Sequence, residues 1–507
     1  MAVSYEKYRK DLIQGYYDHQ LETLMMGFDP ARPTVILLPG GMGSQLERTE
    51  RKYPASPNVI NDVIWLDLGI APPKRDALKL EITGTGDDLD KYVIAAHGPI
   101  SFVTETPYGE LEDLAYDQDW NYGVFGYDWR RSLKESADYF KAFILAFQKR
   151  VKSDYGKDPI PELTIVCHSM GGMVCTYALT DPKFSGLGFR AIVTIATPFY
   201  GTSTQQERYY VGVPGILNTI YGAKTVVEIV ASLPGPYTLM FLPKDIYDVD
   251  GKKLGLGRYP QLDPNGNTDA DPYDPALLGR WPKPIKAHKK YLVDAKAELK
   301  KLATPINANI APVFFNVRSS RDITTPVELL WNDINGDAFI PGTTPSPLTG
   351  IPGPGDGTVP AWSAWHAYSR PNNRHDLKEA SDHGNLLEHE EVLALIDTIV
   401  KTRKLPSVAK LAAAKRSIAK KRGAAKLQVA SKKRVADVAA DWVQRAKTKE
   451  APPQELFQDP IKRAVFAELI GGTKPKMASP QAVAAATMIT TKHAPKKRKT
   501  GRRKGRG

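Results

Sequence analysis

The chain has 507 residues, 42% of them apolar, which is enough for a large core in one α/β domain with insertions or in two or three average domains. Its two cysteines, Cys167 and Cys175, exclude a disulfide framework, and no apolar run reaches the roughly 18 residues a membrane span needs. The net charge of +13 divides sharply: residues 401–507 hold 29 basic and 6 acidic side chains, a net +23, which leaves −10 on the first 400.

The N-terminus, MAVSYEKYRKDLIQGYYDHQ, is charged and tyrosine-rich and has no apolar core of a signal peptide. With the cysteine count, that reads as a protein of a reducing, cytoplasmic setting, soluble or peripheral to a membrane. TVILLP (Thr34–Pro39) is the first strand-like run, and it opens into the glycines of GGMGSQLE. GVFGYDW (Gly123–Trp129) is the second. Ser132 and Glu135 then form a candidate capping box ahead of Phe140, Phe143, Phe147 and Val151, whose spacing predicts a helix. TIVCHS (Thr164–Ser169), AIVTIATP (Ala191–Pro198) and VFFNV (Val313–Val317) complete a set of short apolar runs bounded by Gly or Pro. Such runs suit parallel strands buried on both faces. Leu292, Ala295 and Leu299 mark another helix, and Asn385–Lys401 a last one. Strands alternating with helices predict a doubly wound α/β sheet over residues 1–400.

Two stretches interrupt that rhythm. Residues 202–235 hold apolar segments such as VGVPGILNTIYG and predict a lid, a binding loop or extra packing helices. Residues 251–284 are rich in Gly, Pro and Asp and predict an excursion on the surface. Beyond residue 400, patches such as LAAAKRSIAKKRGAAK and the ending PKKRKTGRRKGRG predict a basic, Ala/Lys-rich tail with poor packing and much disorder.

Chemistry concentrates in LTIVCHSMGGM (Leu163–Met173). A strand, a serine, two glycines and an apolar helix leave only a few residues to reverse the chain, which forces the residue at the tip into strained backbone with an exposed side chain. That is a nucleophile elbow with Ser169 at its tip; Cys167 stands where the usual pattern has its first glycine. In that architecture the base follows the nucleophile. Of the five histidines after VFFNV (His366, His375, His383, His389, His493), His383 sits in the polar turn SDHGNL before the last helix and is the candidate base. Asp322 and Asp356 both lie in loops able to supply the acid. Oxyanion donors are expected from the backbone amide of Met170 and from the glycine-rich loop after the first strand, at Met42 or Gly41. No cofactor and no metal site is implied.

LLPGGMGSQLE, GYDWR (Gly126–Arg130), CHSMGG, FFNV, GDGTVP and DHGNL, in that order over most of residues 34–400, resemble the lecithin:cholesterol acyltransferase family, which includes phospholipid:diacylglycerol acyltransferases and lysosomal phospholipases. The resemblance implies an α/β-hydrolase fold and a triad of Ser169, Asp356 and His383, with Met42 and Met170 as oxyanion amides. It selects Asp356 over Asp322. It leaves Arg130 of YDWR as a buried structural charge or a substrate contact. The activity it implies is transfer of a fatty acyl group from a phospholipid-like ester to an alcohol, with hydrolysis by a lipase or phospholipase as the alternative. A reading of another class gives the tail the working role, binding nucleic acid or an anionic membrane through its lysines. Its aromatics, Trp442, Phe457 and Phe466, are too few to support base stacking.

Overall fold

Runs of β-branched and apolar residues become the central strands because both of their faces are covered. The computed structural model describes residues 5–50, 62–65, 92–100, 108–213, 217–218, 222–254, 259–263, 270–332 and 348–426. Six strands form the main sheet: β1 (Thr34–Leu38), β2 (Asn121–Val124), β3 (Leu163–His168), β4 (Ala191–Ile195), β5 (Phe314–Arg318) and β6 (Arg374–Asp376). Their order is β6-β5-β4-β3-β1-β2, and every neighbouring pair is parallel. All residues of β1, β3 and β4 are buried.

The two faces divide by the period of two. Ile36 and Leu38 of β1 join Ile165 and Cys167 in one core cluster, while Val35 and Leu37 join Val166, Val193 and Val317 in the other. The first cluster is filled by the Leu133–Tyr155 helix, whose Phe140, Phe143, Phe147 and Val151 are all buried. Ser132 caps that helix by accepting from the Glu135 amide, and Gly156 ends it in left-handed backbone at φ 67°. The Lys289–Leu302 helix buries Leu292, Ala295 and Leu299 on the same side. The second cluster is filled from the Glu390–Thr402 helix through Val392, Leu393, Ile396 and Ile399.

Chain order and sheet order part company at one place. From β1 the chain runs outward to β2, then crosses back over β1 to β3 and continues the other way. Loops leaving the carboxyl ends of β1 and β3 therefore diverge to opposite faces, and the crevice between them is where open α/β sheets hold ligands.

Two three-stranded sheets flank the main one. Ser44–Glu50 pairs antiparallel with Asp62–Trp65 and Tyr92–Pro99. Asp322–Trp331 pairs antiparallel with Leu348–Gly355 and parallel with Gln261–Leu262. The second of these corrects the surface reading of residues 251–284. Tyr259, Gln261, Leu262, Tyr273 and Trp281 are buried, and the Trp281 ring stacks on Tyr210 at 5.6 Å between centroids. Gly, Pro and Asp set the composition of that stretch, but isolated aromatics anchor it. Residues 255–258 and 264–269 of it lie outside the described residues.

The packed body also runs past residue 401. A helix at Val408–Lys426 lays Leu411, Ala414 and Ile418 against the second core cluster, a helical stripe within an Ala/Lys-rich composition. Beyond Lys426 the basic tail, with Trp442, Phe457, Phe466 and His493, lies outside the described residues. Among the described residues, no helix is long and apolar enough to cross a membrane.

Candidate active site

Ser169 stands between β3 and the Met170–Leu179 helix with φ 51° and ψ −126°, a positive-φ conformation rare for a residue with a Cβ. The glycines that follow have a measurable cause. A Cβ on Gly171 would lie 2.4 Å from the Pro39 carbonyl oxygen, and one on Gly172 would lie 1.8 Å from Thr197 Oγ1. The helix thus approaches the loops after β1 and β4 too closely for any side chain at either position. Cys167 is buried beside Leu38 of β1, where its thiol fits the space.

His383 opens a short 3-10 turn, His383–Glu388, and is buried. Its Nε2 lies 2.8 Å from Ser169 Oγ and its Nδ1 lies 2.8 Å from Asp356 Oδ2. A carboxylate only accepts, so Nδ1 carries the ring proton and the Nε2 lone pair faces the serine hydroxyl. Asp356 follows the Leu348–Gly355 strand. Its Oδ1 accepts from the amides of Thr358 (3.0 Å) and Val359 (2.6 Å), and its carbonyl accepts from the His383 amide at 3.0 Å. Five polar contacts therefore hold the three side chains in one line.

The loop after β1 brings Gly41 and Met42 to the same place. Met42 has φ 64°, and its carbonyl accepts from Trp65 Nε1 at 2.8 Å. The amides of Met42 and Met170 have no hydrogen-bond partner among the described residues. Both residues border the cavity that holds Ser169 and His383. Free amides from a strained loop and a helix N-terminus suit a developing oxyanion.

Behind this arrangement lies a buried pair that sequence reasoning missed. His168 Nε2 donates to the His383 carbonyl at 3.0 Å, and its Nδ1 is 3.5 Å from the Tyr108 hydroxyl, which accepts from the Gly40 amide at 3.0 Å. Burial, then the neighbouring His383, pushes the His168 pKa down to about 3, so the ring is neutral. The pair ties the oxyanion loop to the backbone of the base. Its only signal in the sequence is a histidine in a strand otherwise free of polar side chains that large.

The cavity has an empty volume of about 940 Å³, its open mouth included. Trp65 and Trp129, 5.2 Å apart at 65°, form one wall. The expected lid forms the opposite wall: Val213, Leu217, Val226, Ile229 and Leu233 line the cavity from residues 202–235. The lid is tied down at its start, where the hydroxyls of Thr202 and Thr204 donate to the Thr358 carbonyl, two residues from Asp356.

The other candidates stand elsewhere. Asp322 turns its carboxylate back on the amide and hydroxyl of Thr324, at 2.7 and 2.6 Å. His366 is buried with Nε2 on the Leu302 carbonyl, His375 pairs with Glu391 at 2.8 Å, and His389 caps the Glu390–Thr402 helix. Arg130 is corrected as a substrate contact. It is fully buried away from the cavity, and its Nε and Nη2 hold both oxygens of Asp128 at 2.8 and 2.6 Å. Its carbonyl accepts from the Gly235 amide, so this turn props the end of the lid and sets Trp129 in the cavity wall. Among the described residues, no group of three or more His, Cys, Asp or Glu is arranged to hold a metal ion.

The family described as PGAP1-like alpha/beta domain matches residues 116–229, which contain Ser169 and most of the lid. Lysosomal phospholipase A and acyltransferase of Bos taurus is 26% identical over 234 residues, covering 38% of this chain and 54% of that protein. The Homo sapiens protein of the same name is 24% identical over 243 residues, covering 40% of this chain and 57% of that protein. The matched stretch thus spans about half the length of these relatives. Among solved structures, the Tle4–Tli4 complex is similar at 16% identity with a TM-score of 0.46, over 73% of this chain and 98% of that one. Over these stretches the chain is homologous to lysosomal phospholipase A and acyltransferase, and its six parallel strands flanked by helices, with the serine elbow after β3, make an α/β-hydrolase fold.

Proposed function

We propose that this chain is a serine-dependent lipid O-acyltransferase that moves a fatty acyl group from a phospholipid-like ester to an alcohol through an acyl-enzyme on Ser169. The observation that carries this reading is the Ser169–His383–Asp356 line, two contacts of 2.8 Å, opening into an apolar cavity wide enough for an acyl chain. Ser169 Oγ passes its proton to His383 Nε2 and bonds to the ester carbonyl carbon, while the Met42 and Met170 amides take the oxyanion. Collapse breaks the bond to the leaving alcohol, which His383 protonates. The acceptor then gives its proton to His383 and attacks the acyl carbon, and Ser169 leaves with its proton restored. Asp356 holds the tautomer and stabilises the imidazolium.

Hydrolysis is the second reading, because the cavity mouth is open and water satisfies the same steps. Incubation with a mixed lipid extract followed by mass spectrometry decides between them. A new ester identifies transfer, free fatty acid alone identifies hydrolysis, and lipid consumption that persists in Ser169→Ala overturns both.

The basic tail is assigned to anionic membrane, where such a substrate resides, rather than to nucleic acid. Both cysteines are buried free thiols, which fits a reducing, cytoplasmic and membrane-peripheral setting. Each basic residue near such a surface contributes roughly 1 kcal/mol. Deleting residues 427–507 is expected to leave turnover of a soluble short-chain ester within about twofold and to lower activity on phosphatidylserine vesicles, most at low salt. Equal vesicle activity across a salt series would remove the membrane role; salt-sensitive binding to DNA alone would move the tail to the other class.

A further inference from the structure

The lid helix Ser203–Val211 carries a cation into the cavity wall. Arg208 is 9% exposed and lines the same cavity as Ser169 and His383. Its Nε and Nη2 have no hydrogen-bond partner, and among the described residues no carboxylate stands within ion-pair distance of it. The remaining nitrogen, Nη1, makes only a 3.5 Å contact with Gln205 Oε1. Two more donors on the same lining, Gln205 Nε2 and Thr358 Oγ1, are buried without partners. Burial pushes the Arg208 pKa down to about 10, which leaves the guanidinium charged at neutral pH.

A guanidinium removed from water is ordinarily paired, because its desolvation is recovered only through hydrogen bonds and an opposite charge. Arg130 of this chain obeys that rule with Asp128. Arg208 does not, and the place where it breaks the rule is the substrate cavity. Its surroundings supply an amide and a hydroxyl, and Glu207 of the same helix attracts it through space without forming an ion pair, so no anion contacts it. The anion has to come with the ligand.

We propose that Arg208, with Gln205 and Thr358, forms an anion subsite that receives the phosphate of an acyl donor whose scissile ester lies at Ser169. The proposal deepens the acyl-enzyme reading and rests on it for the role of Ser169. A planar guanidinium matches two phosphate oxygens at once, and such charge-assisted bonds are strong in a cavity with apolar walls. The apolar lid residues take the acyl chain, and Arg208 selects esters that carry a phosphate over neutral ones of the same chain length. Anchoring of the lid helix to the Thr358 carbonyl keeps this subsite in register with the Asp356 loop.

The test compares two soluble short-chain esters, dihexanoylglycerophosphocholine and dihexanoylglycerol, on the full-length protein. Arg208→Gln is expected to lower the ratio of kcat/KM for the phosphate-bearing over the neutral ester about 10- to 100-fold, and Arg208→Lys to lower it less. A ratio separates the subsite from any general loss of folded protein. Inorganic phosphate added to the dihexanoylglycerol assay distinguishes the source. Competition in the wild type that is lost in Arg208→Gln means that the subsite accepts free phosphate as well; a shifted ratio without competition assigns it to the lipid headgroup. Calorimetric binding of dihexanoylglycerophosphocholine to Ser169→Ala protein, with and without Arg208→Gln, reads the subsite without turnover. Binding weakened by Arg208→Gln, together with no esterase activity in the wild-type protein, would keep the subsite and sink the acyl-enzyme. Normal turnover with an unchanged ratio and unchanged binding would overturn the subsite alone.

Discussion

The two ends of the cavity treat polar atoms in opposite ways. At the catalytic end the triad and the ring behind it are satisfied: both oxygens of Asp356, both nitrogens of His383 and both nitrogens of His168 have partners. At the lid end Arg208, Gln205 and Thr358 carry buried atoms with none, and so do Gln206 and Tyr209 in the same helix. A satisfied network fixes its atoms before substrate arrives, which is what a reaction needs from a nucleophile and base. An unsatisfied one costs stability until something fills it.

The largest effects are expected where the network is complete. Ser169→Ala is expected to reduce ester turnover by about 10⁴ to 10⁶ and to abolish labelling by a fluorophosphonate, with an unchanged circular dichroism spectrum. Asp356→Asn is expected to lose about 10⁴, since the imidazole would be held in the wrong tautomer. Asp322→Asn, whose carboxylate serves only the Thr324 turn, is expected to stay within about twofold of wild type. The reverse order of the two aspartate variants would break the assignment of the catalytic end.

Stability should divide the two buried arginines in the same sense. Arg130→Met strands the Asp128 carboxylate, also beside Arg131, and is expected to cost about 3 to 5 kcal/mol. Arg208→Met removes an unpaired charge from an apolar wall, and its effect is expected between zero and a gain of about 1 to 4 kcal/mol. Denaturant melts of both variants measure this directly. Equal losses would mean that Arg208 has a structural partner after all, and the contrast between the ends would collapse.

The same contrast explains what could be read in the amino-acid order. β1, β3 and β4 are covered on both faces, so they survive in the sequence as unbroken apolar runs, and the elbow survives because two glycines are required by contacts under 2.5 Å. The choice between Asp322 and Asp356 was not visible in spacing. The two lie on adjacent strand ends, with Asp322 opposite Gly355 in the hairpin, and only the direction of each side chain separates them. Family resemblance supplied that choice. STQQERYY around Arg208 is polar in composition, yet all but Glu207 are buried. Sandwiching between the cavity and the Trp281 region hides them, and nothing local in the sequence encodes a sandwich.

A graded, pH-dependent effect probes how far completeness at the catalytic end depends on one neutral ring. His168 ordinarily titrates near 6.5 and is pushed down to about 3 in the folded chain, chiefly by burial. Above 6.5 the ring is neutral folded or unfolded, and pH has no leverage through it. Between 6.5 and 3 the unfolded chain binds a proton that the folded chain refuses, so stability falls as pH falls, by up to about 1.4 kcal/mol per pH unit. Below 3 both states are protonated and the slope ends. His168→Gln keeps an N–H for the His383 carbonyl and does not titrate. Unfolding free energies of wild type and variant, measured from pH 7 to pH 4, should therefore diverge towards acid, with the variant losing less. Acidic side chains titrate in both proteins and cancel in the difference. Parallel curves would show that His168 accepts its proton at no cost, and the catalytic end would then tolerate a charge behind its base that its burial argues against.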